Sequence, residues 1–165
     1  MTINGKEKKV LDLLNEDCRI PLEKMAVMLG MDIKEVAQTI DGLEKEHIIL
    51  SYRPVINWDK AERNVVEAMI EVKVTPQRDF GFDAVAKRLN SFEEVRSLYL
   101  MSGTYDLLIQ VSAPTLKELA QFVSEKLSPL ETVTGTSTSF VLKRYKQDGI
   151  AFDFSEEDRR LSVSP

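Results

Sequence analysis

Gly103-Thr104-Tyr105-Asp106 is the stretch of this chain best equipped for chemistry. It lies between two apolar, strand-like runs. One carries Val95, Leu98 and Leu100; the other carries Leu107, Leu108, Ile109 and Val111. Backbone N–H groups beside a glycine are unshielded and can hold a carboxylate. Asp106 offers a carboxylate that can accept from an ammonium group, and Tyr105 offers an aromatic wall. Together these groups suit a small zwitterion. A β-branched side chain at position 103 would crowd the donors and resist the positive φ that a glycine turn invites. Gly and Asp also serve ordinary β-hairpin turns, so the elements around the loop decide its use.

The rest of the chain offers little other chemistry. The single cysteine, Cys18, lies between Asp17 and Arg19 and reads as a structural thiol in a reducing compartment. One Cys and one His argue against a transition-metal site. That histidine, His47, follows a helical pattern and suits a helix C-terminus, where the dipole favours a cation. It has no nucleophile partner with triad logic. With no acid–base pair either, neither an enzyme nor a cofactor is expected. No apolar run approaches the ~20 residues of a membrane helix, and the first residues lack the apolar segment of a secretion signal. A cytoplasmic protein with no membrane partner is therefore expected. The apolar fraction of 43% is ample for a core, and the net charge of −5 does not advertise a nucleic-acid binder.

The elements that must position the loop follow from hydrophobic period. Residues 6–16 carry Val10, Leu11 and Leu14 on a helical stripe. Pro21 opens a second helix with Leu22, Met25, Ala26 and Leu29, and Gly30 can end it in the left-handed region. Asp32 can cap a third helix, with Glu35 placed to complete a capping box. That helix carries Ile33, Val36, Ile40 and Leu43 and ends near His47. Three short helices with a tight Gly turn match an N-terminal (winged) helix-turn-helix over residues 1–50. Pro54 and a charged stretch make 51–64 an extended linker, where Trp58 reads as a hinge or interface anchor.

From residue 65 the period changes to two. Val66, Ala68, Ile70, Val72 and Val74 alternate with mostly polar residues. A helix over 80–90 carries Phe82, Val85, Ala86 and Leu89. Strands near 94–101 and 106–112 flank Gly103. Pro114-Thr115 opens a helix bearing Leu116, Leu119, Ala120, Val123 and Leu127, and a strand through 133–145 carries Phe140 and Leu142 on one face. The order β-α-β-β-α-β over 65–145 is the ferredoxin-like split motif, so the fold class is α+β. Two helices cover one sheet face; the face carrying Val66, Ile70, Val72 and Phe140 is expected to pair with a second copy. Residues 146–165 form a C-terminal tail that can dock as a short helix.

Three segments in this order and spacing resemble the leucine-responsive/asparagine-regulator (Lrp/AsnC) family: EKKVLDLLNEDCRIPLEKMAVMLGMDIKEV, LYLMSGTYDLLIQV and VTGTSTSFVL. The resemblance covers about residues 5–145. It implies a bacterial or archaeal transcription regulator that binds double-stranded DNA, forms homodimers that commonly assemble to octamers, and senses an amino-acid effector between C-terminal domains. Carried onto this sequence, it makes Gly103, Thr104, Tyr105 and Asp106 the effector loop, with Thr136 and Thr138 on the closing strand. It makes the third helix the DNA reader, through Lys34, Glu35, Gln38, Thr39 and Gly42.

Three residues depart from the family pattern. Asp32 stands for its serine at the helix start, Thr39 for its mid-helix arginine, and His47 for its following glycine. Residues 1–50 hold seven Lys/Arg and ten Asp/Glu, a net charge of −3, and phosphate contacts dominate DNA affinity. Each such domain should bind weakly, and several in one assembly would compensate by avidity. The alternative is a ligand-sensing or oligomerisation protein of the same fold with weakened or lost DNA binding. Siroheme decarboxylase subunits share the architecture but need histidines for the tetrapyrrole, and residues 48–165 contain none.

Overall fold

The computed structural model describes residues 3–62, 64–75 and 81–152. The chain forms two compact units, residues 1–55 and 56–165.

The first unit is three helices. α1 spans Gly5–Glu16 and starts in a complete capping box: Asn4 Oδ1 accepts from the N–H groups of Lys6 and Glu7, and Glu7 accepts from Asn4 N–H at 2.7 Å. α2 spans Leu22–Leu29, opened by Pro21 and ended by Gly30 at φ 63°. α3 spans Ile33–Lys45, with Asp32 accepting from Lys34 N–H at 2.8 Å. The capping box expected there does not close, because Glu35 reaches Lys6 Nζ at 2.5 Å instead. Val10, Met25, Ala26, Val36 and Leu43 form the core, while Ile33 is exposed. Between α3 and β1 the described residues form no strand and so no wing.

His47 ends α3 with a left-handed backbone at φ 56°. Its N–H donates to Glu44 O at 3.0 Å and the next N–H, of Ile48, to Leu43 O at 2.9 Å. This is the Schellman closure, in which glycine is preferred because a Cβ is penalised there. Replacing His47 with valine should therefore destabilise this unit by about 1–2 kcal/mol, whereas His47→Gly should not. Thermal melting followed by circular dichroism checks both. Just beyond, the Tyr52 hydroxyl donates to Glu44 Oε1 at 2.8 Å. Burial and the Glu44 carboxylate push the Tyr52 phenol up to about 12.

The second unit is a four-stranded antiparallel sheet in the order β2-β3-β1-β4. In chain order the elements are β1 (Val66–Val74), α4 (Asp83–Asn90), β2 (Val95–Leu100), β3 (Leu107–Ala113), α5 (Leu116–Gln121, continued by a π turn over Phe122–Leu127) and β4 (Val133–Phe140). Ala68, Ile70 and Val72 of β1 and Leu107, Ile109 and Val111 of β3 are fully or almost fully buried against Val85, Leu89, Leu119, Phe122 and Leu127 of the helices. The face carrying Ile70 and Val72 is thus the helix-covered face, not the partner-seeking one expected above. The open face carries Met69, Glu71 and Lys73 with Leu108, Gln110, Tyr99, Ser137 and Ser139, which the register places opposite one another.

Three further expectations change. The π turn separates the buried Phe122 and Leu127 by five residues, and Leu116, in the regular turn before it, is exposed. β4 stops at Phe140, and Leu142 is 96% exposed. The start of the tail is not helical: β5 (Lys146–Gln147) and β6 (Ile150–Ala151) form a hairpin. Its turn is Asp148-Gly149, with φ 48° and 81°, the pair that a type I′ turn requires. Residues 153–165, the rest of that tail, lie outside the described residues.

Candidate functional site

The 103–106 loop leaves β2 and enters β3 beside the end of β1. Met101 N–H donates to Asp106 O at 2.8 Å, and Asp106 N–H donates to Val72 O at 3.0 Å. The β1–β3 ladder runs out at Val72 opposite Leu107. Beyond it, Asp106 Oδ2 accepts from Val74 N–H at 2.9 Å. The carboxylate thus satisfies a backbone donor that the ladder leaves over, and one of its oxygens is fixed in that role.

A cleft of about 290 Å³ opens beside this loop. Of the residues expected at an effector site, Thr104, Tyr105 and Thr136 line it together. Gly103, Asp106 and Thr138 do not. Gly103 lacks the positive φ expected of it, and a Cβ built there meets nothing within 4 Å. Thr136 and Thr138 pair with Val72 and Ile70, at the outer edge of the helix-covered face. Sequence reading missed Glu71, Lys73, Gly135 and Ser137, which complete the lining. The polar phase of the β1 alternation marks the first two; the others emerge only once register puts Gly135 opposite Lys73 and Ser137 opposite Glu71.

On α3, Lys34 and Gln38 are exposed, and so are Asp41 and Lys45 on the same stripe. Glu35, Thr39 and Gly42 are half-buried. The Thr39 hydroxyl donates to Glu35 O at 2.8 Å, so it is occupied by its own helix, and the Glu35 carboxylate faces Lys6. The polar row open to a partner is therefore Lys34, Gln38, Asp41 and Lys45.

A larger cleft of about 410 Å³ runs between β2 and α5, with Arg96, Glu94 and Lys126 among its walls. Lys126 Nζ meets Glu94 Oε1 at 2.5 Å, while Glu94 Oε2 is buried with no donor among the described residues. Burial opposes the charged form of Glu94, but the Lys126 hydrogen bond, Glu94's own backbone N–H and the Lys126 charge outweigh it. The carboxyl is held below its ordinary 4.5. A depressed carboxyl adds stability that is fully present above its unfolded pKa and lost as pH falls through the lower folded one. Lys126→Met removes two of the three lowering causes and leaves only the backbone N–H. Urea titrations should show it less stable than wild type by up to about 1 kcal/mol near neutral pH, with the gap shrinking as pH falls below 4.5. A gap that widens on acidification would contradict this.

Trp58 lines a small cleft of about 70 Å³ with Arg144 and Phe152. Arg144 pairs with Glu67 and lies 5.9 Å from the Phe152 ring. Among the described residues no helix is long and apolar enough to cross a membrane, and no group of three or more His, Cys, Asp or Glu could hold a metal ion.

Known proteins resemble this chain in sequence and in fold. The sequence profile of the Lrp/AsnC ligand binding domain matches residues 67–151. The chain is 46% identical to the uncharacterized HTH-type transcriptional regulator YugG of Bacillus subtilis, with 100% of both chains covered. It is 31% identical to the HTH-type transcriptional regulator LrpA of Pyrococcus abyssi, over 87% of this chain and 99% of that one. Its fold is that of a Neisseria meningitidis transcriptional regulator solved as an L-Met complex, with a TM-score of 0.69 at 20% identity over 94% of this chain and 99% of that one. The sequence matches run through both compact units rather than one, and on that ground the chain belongs to the Lrp/AsnC family.

Proposed function

We propose that this protein regulates transcription: it binds double-stranded DNA through α3, and an amino acid held at the 290 Å³ cleft alters that binding or the protein's assembly. The observation that carries the reading is the alignment with an uncharacterized HTH-type transcriptional regulator over the whole of both chains, which runs through the helical unit and the sheet unit alike. The L-Met complex of the Neisseria regulator supports an amino acid as effector. Working copies are homodimers that assemble further, and they act in the cytoplasm with the DNA.

Thermal stability against each of the twenty amino acids tests the sensor. A ligand at ~100 times its dissociation constant adds about 2.7 kcal/mol, and a flat response to all twenty would remove amino-acid sensing. Gly103→Val then tests the loop. Its backbone is not left-handed and a Cβ is unobstructed, so the melting temperature should hold. Binding should fall if backbone donors at 103 hold the carboxylate. Unchanged affinity takes Gly103 out of the site. Retention of DNA by the wild type decides against the variant reading in which only sensing survives.

A further inference from the structure

We infer that Glu71 and Lys73, rather than Asp106, read the two charges of the effector. The inference rests on the proposed reading of this unit as an amino-acid sensor. Asp106 does not line the cleft, and one of its carboxylate oxygens is held by Val74 N–H at 2.9 Å. Glu71 and Lys73 do line it. They stand two residues apart on one face of β1, roughly 7 Å between Cα atoms. Both are exposed in the single chain, and neither enters an ion pair among its described residues. Two long, opposite charges held side by side without neutralising each other match a molecule that carries both charges on neighbouring atoms. The Glu71 carboxylate accepts from the α-ammonium, and the Lys73 ammonium donates to the α-carboxylate.

The same walls set the ligand class. About 290 Å³ lies at the small end of ligand pockets, enough for a single amino acid. Gly135 faces Lys73 across the ladder, and nothing lies within 4 Å of a Cβ built there. That leaves room for the α-carbon beside the ammonium. The remaining lining groups are hydroxyls and the Tyr105 ring, with no third charged side chain to neutralise a charged effector. The ligand is therefore an amino acid with an uncharged side chain.

The full-length protein is screened by thermal shift against the twenty amino acids. The tightest binder, its decarboxylated amine and its des-amino acid are then titrated calorimetrically. Glu71→Gln should weaken the amino acid about tenfold to a hundredfold, the range for a charge-assisted hydrogen bond, and erase the preference over the des-amino acid. Lys73→Met should do the same for the preference over the amine. Asp106→Ala, which leaves Val74 N–H without its acceptor, should lower the melting temperature yet keep both preferences. Binding of an amino acid by wild type with unchanged affinity in both cleft variants overturns the inference and leaves the sensor reading intact. So does a charged amino acid as tightest binder. If both variants instead loosen the assembly in light scattering at unchanged affinity, the pair bridges two copies and the inference is wrong. Failure of all twenty to bind removes the sensor reading itself.

Discussion

A chain shortened to residues 56–165 should remain a dimer or larger assembly, and Leu108→Asp should convert it to monomers. A sheet buries both faces or leaves one to water. Here α4 and α5 cover one face. The other is not a purely polar surface: Leu108 sits between Tyr99 and Glu71, and Met69 pairs with Gln110 and Ser139. Tyr99 is 52% exposed. An apolar centre with a serine and charged margin would suit the core and rim of an interface with a second copy. A two-fold interface uses the same patch on both copies, so each substitution counts twice. A carboxylate at 108 would bring two unpaired charges into the centre, a cost of several kcal/mol, enough to move association out of the micromolar range. Light scattering at micromolar concentration reads both chains. A monomeric shortened wild type would contradict the assignment of this face, and a dimeric Leu108→Asp chain would place the interface elsewhere.

The element order was legible because the hydrophobic period changes from about 3.6 to two near residue 65, and because Pro and Gly punctuate nearly every boundary. The facing of the sheet was not. Ala68, Ile70 and Val72 form an apolar row that reads equally well as a helix-packed or a sheet-packed surface. Only the helices' own apolar residues, Val85, Leu89, Leu119, Phe122 and Leu127, decide that they claim it. The π turn was invisible to a 3.6-residue template because it spaces two core residues by five. The Asp148-Gly149 hairpin signal was present but flanked by strands of two residues each, too short to show alternation. The Asn4–Glu7 capping box was equally readable; the box proposed at Asp32 failed because Glu35 has a cation, Lys6, from another helix within reach.

Of the residues that the resemblance pointed to, Thr104, Tyr105 and Thr136 line the candidate cleft, and Gly103, Asp106 and Thr138 do not. The role of Asp106 depends on where the β1–β3 ladder ends, and that is a matter of register, not of residue type. Glu71 and Lys73 were read as the wet side of a half-buried strand. That is what they are, except at the strand end where the loop and β4 rise beside them to make walls.

The DNA surface makes the sharper demand on this chain. In a helix-turn-helix the N-terminal residues of the motif's second helix enter the major groove, and here that helix is α3. Its open row is Lys34, Gln38, Asp41 and Lys45. Lys34 can reach a guanine or a phosphate, and Gln38 can pair with adenine in a bidentate manner. Lys34→Ala should weaken binding and lower the slope of affinity against salt by about one. Asp41→Asn should strengthen binding at every sequence, because it removes a carboxylate facing a polyanion. Glu35→Gln should do less, since the Lys6 ammonium at 2.5 Å already offsets that charge. Gln38→Ala should relax sequence preference more than it reduces affinity for random DNA. Fluorescence anisotropy on the protein's own upstream region at two salt concentrations measures all four. Affinity unaltered by Lys34→Ala would move the contact to the Lys6, Lys8 and Lys9 cluster on α1. Absence of binding at ~50 mM salt, in wild type and Asp41→Asn alike, would leave a sensor of this fold that no longer reads DNA.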